Sequence, residues 1–179
     1  MSNLINLDEM SVYVGTYKKY NEGSIFGKWL KLSDYSNYEE LLSAMKELHK
    51  DEEDPEFMFQ DLEFSPLLEN MGYVSECHIS SEIFEVLEKI SDCGYELEIL
   101  EAFADCFGKM DSIDDLIEKV QENYNGEFDS DEDFVEELLT ENCCVPNDLP
   151  SYIYIDWQRT ARDVMMDYSS SNGYYFRNF

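Results

Sequence analysis

Forty-one carboxylates against twelve basic side chains give this 179-residue chain a formal charge of −29, and any fold it adopts has to hold that self-repulsion at its periphery. Hydrophobic residues make up 44% of it and aromatic residues 15%, enough for a core and too many for a disordered acidic tail. A chain that is acidic only for solubility would be poor in such rings. A surface this negative repels phosphate backbones and anionic bilayers within the screening length of the solution. Direct binding of nucleic acid or of a membrane face is therefore excluded as the main activity. The natural partner is basic.

Two further limits follow from the chain. No stretch approaches the roughly 18 apolar residues that span a bilayer, and Met1-Ser2-Asn3-Leu4-Ile5-Asn6 lacks the basic start and apolar block of a secretory signal. The five cysteines (Cys77, Cys93, Cys106, Cys143, Cys144) form no C-x-x-C pair, and two are adjacent, which is poor disulfide geometry. Reduced thiols in a cytoplasm are expected.

The pattern predicts an α+β chain of three small domains, 1–64, 65–125 and 126–179. In the first, Val12–Tyr17 is β-branched and aromatic, Asn21-Glu22-Gly23 turns, and Ile25–Leu32 returns as a strand. A helix follows behind a Ser36/Glu39 capping box, with Tyr38, Leu41, Leu42, Met45 and Leu48 as its apolar stripe. Asp51–Pro55 breaks it, and Phe57–Phe64 alternates as a third strand. In the second, Pro66–Met71 reads as a short helix. Three longer helices follow: one capped by Ser80 or Ser81, one from Leu97 to Gly108, and one starting at Ser112. Asn125-Gly126 then reads as a turn. The third domain opens with a helix capped by Ser130, continues with a helix over Tyr152–Arg162, and ends in a hairpin with strands Val164–Tyr168 and Tyr174–Phe176 around Asn172-Gly173.

Every domain is acidic, with net charges of −8, −12 and −9 in order. Residues 126–148 hold nine acids and no base, whereas 149–179 hold three of each among many rings. On the helices the acids fall opposite the apolar stripes: Glu82, Glu85, Glu88 or Lys89, and Asp92, then Glu98, Glu101 and Asp105. At a rise of about 1.5 Å per residue such carboxylates recur every ~4.5–6 Å, comparable to phosphates along a DNA strand. An ordinary exposed helix mixes signs to gain i,i+4 pairs; these accept repulsion instead. Twenty-nine charges match the charge on about 49 Å of duplex axis.

Catalytic and metal chemistry is not expected, and no cofactor. His49 and His78 stand far apart without a nucleophile motif. Asp129-Ser130-Asp131-Glu132-Asp133 starts like a calcium loop but has Phe134 where glycine belongs and Thr140 where the bidentate glutamate belongs, so it reads as an acidic helix start. Cys143-Cys144 has no zinc-spaced partners.

Tyr13-Val14-Gly15-Thr16-Tyr17-Lys18-Lys19-Tyr20-Asn21-Glu22-Gly23-Ser24-Ile25-Phe26-Gly27-Lys28-Trp29-Leu30 closely resembles the N-terminal signature of the ArdA antirestriction family. Asp51–Asp61 is similar to the block that follows it, and Val145-Pro146, Tyr152-Ile153, Asp156 and Ala161-Arg162-Asp163 match the family's C-terminal region. Glu136-Glu137-Leu138-Leu139 resembles its antirestriction motif more loosely. The chain is somewhat longer than typical members.

The resemblance implies a DNA mimic from mobile elements that is elongated and three-domained. Such a protein acts in the cytoplasm of a bacterial host, binding the methyltransferase core and specificity subunit of type I restriction–modification enzymes. The phosphate stand-ins would be Asp51, Glu52, Glu53, Asp54, Glu69 and Glu76, then Glu82, Glu85, Glu88, Asp92, Glu98, Glu101 and Asp105. Asp111, Asp114, Asp115, Glu118 and Glu122 continue the set, and Asp129, Asp131, Glu132, Asp133, Glu136 and Glu137 complete it. The resemblance also implies a homodimer joined through the C-terminal domain. Its near-neutral end offers Tyr152, Trp157, Arg159, Arg162, Tyr174 and Tyr175 for that contact. The alternative is an acidic chaperone or buffer for a basic DNA-binding protein. A calcium buffer is opposed by the failed loop.

Overall fold

The computed structural model describes residues 10–146 and 148–179. Among them are eight α-helices and three small antiparallel sheets, an α+β fold, grouped into two compact units.

The first unit runs up to Leu97 and includes Lys109–Asp114. Its sheet has the order β2-β1-β3, from β1 (Ser11–Thr16), β2 (Lys28–Lys31) and β3 (Phe57–Glu63). Val12 and Val14 of β1, with Leu30 of β2, are buried, as are Leu41 and Met45 of helix α2 (Tyr38–Leu48). The register of β1 against β3 shifts between Tyr13 and Val14, leaving Gln60 as the bulged residue. Three expectations are corrected here. The first strand stops at Thr16, whose hydroxyl accepts from the Lys19 N–H and caps a short helix α1 (Tyr17–Asn21). The second strand begins at Lys28 rather than Ile25. Gly27 ahead of it lies so close to the Val14 carbonyl oxygen that an added Cβ would come within 2.5 Å. The cap of α2 is Asn37, not Ser36: its side chain accepts from the Glu40 N–H, while the Glu40 carboxylate accepts from the Ser36 N–H. The capping logic survives with its register moved by one residue.

Helix α3 (Pro66–Asn70) forms as expected, with Ser65 as its cap. The two-residue strands β4 (Val74–Ser75) and β5 (His78–Ile79) make a hairpin too short to leave a periodic signal. Helix α4 (Ile83–Asp92) buries Ile83, Val86, Leu87 and Ile90. Neither expected serine occupies its N-cap position. Glu82 does, and the Ser80 hydroxyl accepts from the Glu82 N–H.

The second unit comprises Glu98–Gly108 and Asp115–Phe179. Helix α5 (Leu97–Phe107) buries Leu100 and Phe103, and α6 (Ile113–Asn123) buries Leu116 and Val120. The expected turn at Asn125-Gly126 is instead a strand, β6 (Tyr124–Glu127). Gly126 at φ +118° takes up the register shift between Tyr124 and Gly126 where β6 pairs with β8. The sheet order is β6-β8-β7, with β7 (Tyr168–Ser171) and β8 (Tyr174–Arg177) joined at Asn172-Gly173, both at positive φ, as the hairpin reading requires. The strand β7 starts later than Val164, which closes helix α8 (Trp157–Val164). That helix starts at Trp157 rather than Tyr152, because Asp156 is its cap, accepting from the Arg159 N–H. Helix α7 (Asp131–Glu141) starts behind Ser130 as expected. Phe134 and Val135 of α7, Ala161 of α8 and Tyr175 of β8 form one buried cluster, sheathed by Phe128, Trp157 and Tyr168 among others.

Candidate partner interface

A helix presents charge outward when its apolar residues recur at three and four, because the remaining positions have nowhere else to go. On α4 this leaves Glu85, Glu88 and Asp92 exposed, with Glu82 just ahead of the helix. On α5 it exposes Glu98 and Asp105 and leaves Glu101 half-buried. Asp114, Glu118 and Glu122 are exposed on α6 and Asp115 is half-buried. On α7 Asp131, Asp133, Glu136 and Glu137 are exposed and Glu132 is half-buried. Asp111 and Asp129 lie exposed ahead of α6 and α7, Glu69 near the end of α3, and Glu76 at the β4–β5 turn. The α7 start also suits its charges, since Asp131, Glu132 and Asp133 occupy the first turn, where the helix dipole favours anions.

Lysines pair with some of these carboxylates. Lys89 reaches Glu85 at 3.2 Å and Asp114 at 2.8 Å, and Lys119 lies 3.5 Å from Glu122 while covering the Phe179 ring at 5.3 Å. The Lys89 pKa is raised by its hydrogen bonds to Asp114 and then Glu85. Others accept from hydroxyls: Asp105 from Ser171 at 3.2 Å, Asp131 from Tyr175 at 2.8 Å and Asp133 from Ser130 at 2.5 Å. Tyr175 is buried, and its pKa is raised first by that burial and then by the Asp131 acceptor.

The Asp51–Asp54 block behaves differently. Asp51, Glu53 and Asp54 are exposed, but the Glu52 side chain is only 6% exposed and accepts from the Thr16 hydroxyl at 2.7 Å. The Lys19 ammonium lies 2.8 Å from Asp51, 3.2 Å from Glu52 and 3.0 Å from Nδ1 of His49. His49 is fully buried, and its Nε2–H donates to the Val14 carbonyl at 3.2 Å, which leaves the Nδ1 lone pair for the lysine. Phe26 covers this ammonium at 4.9 Å. The His49, Asp51 and Glu52 ligand atoms lie close enough to suggest a metal site, but the cation they surround is Lys19. Burial disfavours the Lys19 charge, yet its bonds to Asp51 and Glu52 raise its pKa overall; the Lys19 bond lowers that of Asp51. For Glu52, burial opposes ionisation, and the Thr16 and Lys19 bonds outweigh it to lower the pKa. This cluster was not readable from the sequence, where Lys19 is one of two adjacent lysines and His49 an isolated histidine 30 residues away.

The aromatic residues of the near-neutral end divide between surface and core. Tyr152 is 78% exposed beside Ile153 and Tyr154, and Arg159 and Arg162 are exposed on α8. Tyr174 is half-buried, Trp157 packs against the core cluster, and Tyr175 stacks on Phe134 with ring centroids 4.5 Å apart. Among the described residues no helix is long and apolar enough to cross a membrane. A family model described as Antirestriction protein (ArdA) matches residues 12–176. No curated protein matches the chain.

Proposed function

The chain belongs to the ArdA family of antirestriction proteins, and from that premise we propose that it blocks type I restriction–modification enzymes by lying where they hold DNA. The occupied groove belongs to the methyltransferase core with its specificity subunit. The observation that carries the reading is the charge on helices α4–α7, which hold sixteen carboxylates and two lysines. Those carboxylates stand in for phosphates and meet the lysines and arginines that line a DNA groove, so no bond is made or broken and the protein is not an enzyme. Because such grooves read backbone charge before base identity, one mimic serves against many sequence specificities.

The same proposal includes the three-domain division at 64/65 and 125/126 and a homodimer joined through residues 149–179. It places the activity in the bacterial cytoplasm, where entering mobile DNA meets the enzyme. The test is the plating of unmodified phage on cells carrying a single type I system, with and without this gene. Relief of restriction, together with competition between the purified protein and DNA for the methyltransferase core, is the expected result. Unchanged plating with the protein expressed and folded overturns it.

A further inference from the structure

The first unit carries a concave feature that a phosphate mimic does not call for. A pocket of about 840 Å³ lies along β3, within the range of sites that hold ligands. Its apolar lining includes Met58, Phe59 and Val74, all buried. Asp61, Glu69 and Glu76 bring three exposed carboxylates to it, and among the described residues no lysine, arginine or histidine lines it. Tyr20, 51% exposed, adds an aromatic ring.

Each part selects for a property of the occupant. An apolar lining beside carboxylates suits an aliphatic stem that ends in a cation, as in lysine and arginine. Tyrosine beside them adds a face for the same cation. The pocket far exceeds one side chain, so the occupant is a segment rather than a single residue. The strand along which it lies stands at the edge of its sheet, where the Glu76 carbonyl already accepts from the Phe59 N–H at 2.7 Å, so an extended segment would lie in the pocket beside that contact rather than replace it. Gln60, in the same wall, has its Nε2 buried against Gly15 without a hydrogen-bond partner. We infer that this pocket binds a short extended peptide segment bearing lysine or arginine. The inference goes beyond groove occupation, which needs outward-facing charge and no cavity.

The experiment uses the full chain and three probes: an end-blocked heptapeptide with three alternating arginines, its glutamine counterpart, and spermidine. Calorimetry is expected to show one basic peptide per chain and no binding of the glutamine peptide. Glu69→Gln with Glu76→Gln should weaken that binding about tenfold, and Tyr20→Ala should also weaken it. The control pair Glu136→Gln with Glu137→Gln, which removes the same charge elsewhere, should change it less than about twofold. All five positions are exposed, and unchanged melting of the variants separates lost binding from lost fold. Equal losses from both pairs mean unspecific attraction and overturn the inference. Spermidine binding as tightly as the peptide assigns the pocket to free polyamines and overturns it as well. Phage plating scores the antirestriction reading separately, so either idea can fail while the other stands.

Discussion

At the scale of single residues, the carboxylates differ in what they do, and Glu52 is the clearest case. It belongs to an acidic run, yet its side chain is 6% exposed and holds Thr16 and Lys19 together. Replacing it with glutamine leaves a largely buried ammonium short of one anionic partner. We expect Glu52→Gln to cost about 1–3 kcal/mol in denaturant unfolding, and Glu53→Gln, at an exposed position, almost nothing. The pH dependence has a definite sign. The folded pKa of Glu52 is lowered, so its contribution is complete above the ordinary value of 4.5 and is lost as pH falls through the folded value. The stability gap between wild type and Glu52→Gln should therefore shrink below about pH 4.5. The Lys19 pKa is raised, so its own contribution is present below the ordinary 10.5 and is lost as pH rises through the folded value. A gap that instead widened in acid would show that the folded pKa of Glu52 is raised rather than lowered. Tyr175→Phe removes the hydroxyl from Asp131 and should cost about 1 kcal/mol while leaving the state of assembly unchanged, since the ring packs inside its own unit.

At the scale of elements, the proposed function makes the acids on α4 and α5 a distributed set, and the helix ends decide their effect on stability. Asp92 closes α4, where a negative charge opposes the dipole, whereas Asp131–Asp133 open α7, where it helps. Asp92→Asn should raise stability by about 0.3–1 kcal/mol and Asp133→Asn should lower it, as thermal melting would show. For inhibition, exposed charge pairs are worth about 0.2–1 kcal/mol each, so Glu98→Gln alone should barely weaken it. Amides at Glu82, Glu85, Asp92, Glu98, Glu101 and Asp105 together should weaken it step by step with an intact fold. A single one of these changes that abolished inhibition would point to a hot spot. What the sequence showed follows the same division. Long amphipathic helices such as α2, α4 and α5 were legible because their apolar stripes repeat over three turns. The β4–β5 hairpin was not, because two residues have no period. Asn125-Gly126 misled because glycine at positive φ serves a bulge as well as a turn. Of the interface, the acids were legible individually, but apart from the i,i+4 pair Glu85–Lys89 their pairing with Lys19, Lys89 and Tyr175 depends on contacts 25 to 44 residues apart.

At the scale of the whole molecule, the proposed mimicry has to reckon with a charge density different from that of DNA. The accessible surface is 11127 Å² for a net −29, or about 380 Å² per charge. A smooth cylinder of about 10 Å radius with one charge per 1.7 Å has roughly 110 Å² per charge. DNA's charge is thus three to four times denser, and that density is what condenses a counterion atmosphere whose release drives binding. A sparser polyanion condenses less, so it has less counterion entropy to gain when it meets a basic groove. Its attraction is mostly screened Coulomb energy, which weakens as salt shortens the Debye length from about 10 Å at 0.1 M to about 3 Å at 1 M. Affinity for the methyltransferase core should therefore fall as salt rises, with a log–log slope clearly shallower than that of DNA of about 49 Å on the same enzyme. The consequence is competitive: the ratio of mimic to DNA bound should increase with salt across the physiological range. Parallel titrations of both ligands at several salt concentrations measure it. An affinity independent of salt would remove the electrostatic basis of the mimicry. A slope as steep as that of DNA would mean that the acids are gathered into a far denser ridge than their average over the surface.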